Sequence, residues 1–275
     1  MIFGHHSFRK PLCAGIGLVF AAAVGLAAAA GGPRVREQKT VVVDGVREMW
    51  RLEWQDSPTS ACGPDFPEIS LTCPCSGFAY GEQGRLALVR IRSGKVIERL
   101  ALDRFFISDE LPVAVGPAVL ERWPPSFSHD FNVGDHDAQF MREVAARRPA
   151  DVMSVADYDH DGHATEFLLQ VGTLPCGKQQ MVLVGISKRD PHLHVFSSVE
   201  RPSVPLVLGA WQWKQLLESH GTVKTIEWPC GDHGSEKEWT DTLTAHDGLI
   251  DDLRMSRTCG RDEHRRAPYD STPRQ

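Results

Sequence analysis

The feature that most constrains the fold is a pair of alternating runs joined by a tight-turn dipeptide. Residues 85–92 alternate in side-chain type, Ser93-Gly94 turns the chain, and residues 96–102 return. Alternation with period two marks a β-strand, and a two-residue turn with glycine second marks a hairpin. In the first arm Leu86, Leu88 and Arg90 share one face while Ala87, Val89 and Ile91 share the other. Both faces are largely apolar, as expected of a strand lying inside a layered β structure.

The same signals recur along the chain. Asp44-Gly45 lies between apolar runs at 41–43 and 49–54, a second predicted hairpin. Strands are also expected at 152–155, 166–173, 180–186, 193–199, 223–228, 238–244 and 249–257. Two short helices interrupt them. Residues 137–148 place Phe140, Met141, Val144 and Ala145 on one face before Pro149, and residues 209–220 stop at Gly221. The fold class is therefore mainly β, a degenerate propeller-like or sandwich domain with one or two short helices.

The N-terminal thirty residues read as an export signal. Arg9 and Lys10 precede an uncharged stretch from 11 to 32, and Ala28-x-Ala30 offers the small side chains a signal peptidase needs. Residues 1–30 are then a signal peptide, 31–40 a polar linker, 41–259 the β-rich domain and 260–275 a tail. Retention of the signal as a membrane anchor is the alternative, since the uncharged stretch is long enough to span a bilayer. Either reading places the domain outside the cytosol, secreted or periplasmic, with no membrane contact beyond the N-terminal segment. Removal of the signal changes the balance from 30 basic and 36 acidic residues to 28 and 36, a net charge of −8. That excess of acid argues against nucleic acid as a partner.

Cys62, Cys73, Cys75, Cys176, Cys230 and Cys259 follow the signal. An even number in an exported chain reads as three disulfides, and fifteen connectivities are possible.

The chemically specific motif is Asp157-Tyr158-Asp159-His160-Asp161-Gly162. Three carboxylates at alternate positions repel one another unless a cation lies between them. Gly162 supplies the backbone freedom needed to fold them about one point. The set of Asp157, Asp159, Asp161 and the His163 carbonyl is that of a wrapped hard cation, with Ca²⁺ as the expected, structural cofactor. An EF-hand is excluded, because position 12 of its loop would be Leu168 and a strand follows.

Residues 152–170, VMSVADYDHDGHATEFLLQ, resemble instead the FG-GAP or VCBS repeat of integrin-α-like β-propellers. The resemblance implies that Asp157, Asp159 and Asp161 are calcium ligands, that His163 lends its carbonyl, and that residues 167–169 form an inner strand. The family's closing aspartate is replaced by Thr165, with Glu166 next, so Thr165 and Glu166 are the candidate closing ligands. No second D-x-D-x-D-G is present.

These readings point to an exported, non-enzymatic calcium-binding domain serving binding or adhesion, with a protein or glycan ligand. Two alternatives stand beside it. His160, His163, His192 and His194 beside the aspartates suggest a metal-dependent hydrolase acting outside the cytoplasm. The seven tryptophans suggest a carbohydrate-binding module, against which stands their ordinary use in core packing.

Overall fold

A computed structural model describes residues 32–61, 78, 80–108, 111–115, 117–124, 138–174 and 178–260. The signal at 1–30, the tail beyond Gly260, and Cys62, Cys73, Cys75 and Cys176 lie outside the described residues. Every strand pairing among those described is antiparallel, in several small sheets that do not close into a barrel.

The first sheet is a meander of β1 (Arg34–Val43), β2 (Val46–Trp54), β5 (Leu86–Arg92) and β6 (Lys95–Ala101), in the order β1-β2-β5-β6. Both of its hairpins turn as expected. Asp44 and Gly45 have φ of 50° and 75°, and Ser93 and Gly94 repeat those values. A turn with two left-handed residues matches the twist of the strands it joins. Strand β5 is buried on both faces from Leu86 to Ile91. Its one buried charge, Arg90, is matched on the neighbouring strands. The Glu48 carboxylate accepts from Arg90, Arg92 and the Trp50 indole, and Arg90 also donates to Glu98 at 2.8 Å. Burial pushes the Glu48 pKa up, but the bonds from Arg90 and Arg92 outweigh it and hold the carboxyl below its ordinary value.

Short strands flank this sheet. β3 (Thr59–Ala61), β4 (Gly81–Gly84) and β9 (Ala118–Glu121) form one group, and β7 (Ile107–Ser108) pairs with β8 (Leu111–Val115). The helix α1 (Ala138–Ala145) packs Phe140 and Val144 beside Tyr80 and Trp123.

The central element is the hairpin of β10 (Glu166–Leu174) and β11 (Lys178–Gly185), extended by β12 (His194–Val195) and β15 (Val207–Gly209). Its two faces serve two cores. Phe167, Leu169, Val171, Val182 and Val184 join Trp50, Leu52, Trp54, Leu86 and Leu88 of the first sheet. Leu168, Met181 and Leu183 face the other way, against Trp213 and Leu216 of α2 (Ala210–Glu218) and Leu243, Ala245 and Ile250 of the last sheet. That sheet is β16 (Val223–Trp228), β17 (Lys237–His246) and β18 (Leu249–Thr258), with Asp247-Gly248 as a third left-handed turn. β13 (Ser197–Ser198) and β14 (Arg201–Pro205) bridge towards it. Cys230 and Cys259 form a disulfide with Cα atoms 5.6 Å apart. No helix among the described residues is long and apolar enough to cross a membrane.

Three expectations are corrected. Most of the stretch read as a linker is strand β1, beginning at Arg34. Its polar side chains form ties: Arg36 pairs with Glu82 at 2.5 Å, and Glu37 accepts the Val152 and Met153 N–H groups at 2.7 and 3.2 Å. Those same bonds explain the second correction. Residues 152–155 form no ladder, because the amides of Val152 and Met153 are taken by the Glu37 carboxylate. Third, 193–199 is two strands. Phe196 donates its N–H to Leu183 and accepts from Leu206, and the chain changes partner there.

Candidate metal centre

The aspartate loop lies between one isolated bridge and the central hairpin. Ala156 and Glu166 exchange backbone bonds at 2.8 and 3.3 Å, closing the loop at its base as β10 begins. His160 and Gly162 have φ of 53° and 92°, which reverse the chain twice within the loop. Tyr158, alternating with the acids, points into the second core and meets Trp213 edge-on at 6.3 Å. The Asp159 carbonyl accepts the Gly248 N–H at 3.1 Å, so the loop is also tied to the β17–β18 turn.

This framework brings three carboxylates together. One oxygen from each of Asp157, Asp159 and Glu166 lies within 4.8 Å of the others. Asp159 and Glu166 are fully buried, and Asp159 Oδ2 has no hydrogen-bond partner. Burial first, then the neighbouring Asp161 charge, pushes the Asp159 pKa up to about 7. Burial and then the Asp159 charge push Glu166 up to about 9, against the opposing bonds from Thr165 and the Tyr158 amide. Among the described residues, no Lys or Arg forms an ion pair with either of these two buried carboxylates.

The other expected ligands are placed differently. Asp161 accepts the His163 amide at 2.8 Å and the Lys188 amide at 2.5 Å, so its carboxylate ties the loop to the segment after β11. Thr165 directs its hydroxyl to Glu166 Oε1 at 2.5 Å, with the Ile186 carbonyl at 3.0 Å as a second acceptor. Thr165 thus braces Glu166, and it is Glu166 whose carboxylate joins Asp157 and Asp159. His163 is exposed, with its amide bound to Asp161. His192 and His194 lie near Glu98 and Asp190, and His160 lies beside His220 with ring centroids 5.6 Å apart; among the described residues no histidine joins the group of three carboxylates.

Gly185 is a site residue that sequence reading passed over. It pairs with Glu166 across the hairpin, and a Cβ there would strike the Thr165 carbonyl and sit 2.8 Å from Glu166 Cα. A glycine inside an apolar strand is the signal that marks such a close approach.

The donor set is all oxygen, three carboxylates that could hold a metal cation. Carboxylates can supply several of the six to eight oxygens calcium takes. No family model, characterised protein or solved structure matches this chain.

Proposed function

We propose that this chain is an exported β domain in which Asp157, Asp159 and Glu166 hold a structural Ca²⁺, and whose role is binding or adhesion outside the cytosol. The observation that carries the reading is the buried, partnerless Asp159 Oδ2 beside two further carboxylates. Desolvating acids without a counter-charge is costly, and a divalent cation removes that cost. Its position is structural in character. The loop joins the central hairpin to the β17–β18 turn through Asp159, and to the segment after β11 through Asp161. A cation here would stiffen the junction of two cores.

A propeller-like architecture is the finer proposal for the fold. It is supported by antiparallel sheets of three and four strands and by an acidic loop leading directly into a buried strand, as in the family the loop resembles. The export signal supports an extracytoplasmic setting, where calcium is abundant enough to fill a modest site.

The test is a thermal melt of chelator-treated protein with and without Ca²⁺, paired with metal analysis of protein purified without chelators. A higher Tm in Ca²⁺ that Asp159→Ala removes is the expected result. Stoichiometric zinc, manganese or iron would instead favour the extracytoplasmic hydrolase.

A further inference from the structure

A second site lies on a different part of the domain. The start of β1, the strands β3 and β4 and the chain just after β9 enclose a cleft of about 400 Å³, sharing no lining residue with the acidic loop. Three guanidinium groups line it. Arg36 is committed: its side chain is 7% exposed, its Nε pairs with Glu82, and its NH2 donates to the Glu121 and Ala150 carbonyls at 2.9 and 3.0 Å. Arg34 and Arg122 are exposed and have no carboxylate partner among the described residues. Arg122 lies over the Trp123 ring at 4.3 Å, which holds its planar fork in one orientation. Against the one acid lining the cleft, Glu82, the three arginines leave an excess of two positive charges in a chain whose net charge is −6.

The rest of the lining decides the kind of anion. Thr59 and Ser60 present exposed hydroxyls, which both donate and accept. A guanidinium fork matches a carboxylate, and hydroxyls that both donate and accept match the many hydroxyls of a sugar. We infer that this cleft binds a carboxylate-bearing saccharide, with Arg34 and Arg122 gripping the acid and Thr59 and Ser60 meeting the hydroxyls. The inference gives the binding role proposed above a ligand class, and rests on that role but not on calcium.

Isothermal titration of the full chain with sialyllactose, and with lactose as the same sugar lacking the acid, tests it. Sialyllactose binds and lactose does not, and the double substitution R34A/R122A weakens binding by about tenfold or more, as loss of charge-assisted pairs requires. R34K/R122K keeps the charge but not the fork, and loses part of the affinity. A circular-dichroism melt run alongside confirms that both variants are folded. Equal binding of lactose, no binding of sialyllactose, or an affinity untouched by R34A/R122A overturns the inference. So does binding of a tri-glutamate peptide or inorganic sulfate where sialyllactose fails. The calcium reading fails in the melt and this one in the titration, so the two failures are distinguishable.

Discussion

Glu166 and Gly185 face each other across the β10–β11 hairpin, and the missing side chain at Gly185 is what lets the acidic loop close. A Cβ there would collide with the Thr165 carbonyl and crowd Glu166 Cα. The backbone around Glu166 is also the backbone that closes the loop at Ala156. Gly185→Ala should therefore push the base of the loop apart, destabilising the domain by about 1–3 kcal/mol through overpacking. It should also weaken the Ca²⁺-dependent rise in Tm. Calcium titrations followed by melting temperature check both.

Glu166→Gln separates the cost of the buried charge from the benefit of the cation. Without metal, the variant removes a carboxyl that burial and Asp159 push up to about 9, while keeping its shape. Metal-free E166Q should melt at or above the wild type at pH 8. Its gain in Ca²⁺ should be largely lost, because one of three charged ligands is gone. A wild-type-sized calcium gain in E166Q would show that Glu166 is not a ligand.

The same burial fixes the sign of the pH dependence. The folded-state pKa values of Asp159 and Glu166, about 7 and about 9, lie above their ordinary values near 3.8 and 4.5. Below about pH 3 both states are protonated, and these groups cost nothing. As pH rises towards 9 the unfolded chain releases protons that the folded chain retains, so stability falls, by an amount on the order of a few kcal/mol. Metal-free protein should lose Tm between pH 5 and pH 8. Saturating Ca²⁺ should flatten or reverse that trend, because the cation favours the ionised acids. Melts at the two pH values with chelator and with Ca²⁺ decide it.

The disulfide joins the chain before β17 to the end of β18 across a sequence separation of 29. Closing a loop of that length in the unfolded chain is worth about 3.6 kcal/mol. Cys230→Ser should lower stability by up to that amount without changing the calcium response, since the loop is tied to the other end of the β17–β18 hairpin at Gly248. Denaturant unfolding of C230S with and without Ca²⁺ measures both.

Much of this was legible in the residues. The turns at Asp44-Gly45 and Ser93-Gly94, the strand 223–228 and the two-faced burial of β5 follow from local rules, because alternation and left-handed turn residues act over a few positions. The three-aspartate loop was visible for the same reason. What failed were the places where a distant partner decides. Glu37 takes the amides of Val152 and Met153 and prevents a strand, and pairing with β2 turns a polar stretch into β1.

Sequence alone determined that the chain is mainly β, that three aspartates crowd one short loop, and which turns reverse it. These are local consequences of side-chain alternation, glycine and like-charge crowding. Only the tertiary structure decided which acids meet. Asp161 is drawn aside by the Lys188 amide from after β11, and Glu166 takes its place beside Asp157 and Asp159 because Gly185 admits its backbone. A ligand set is a property of distances between strands, and those are set by packing against residues far away in the chain.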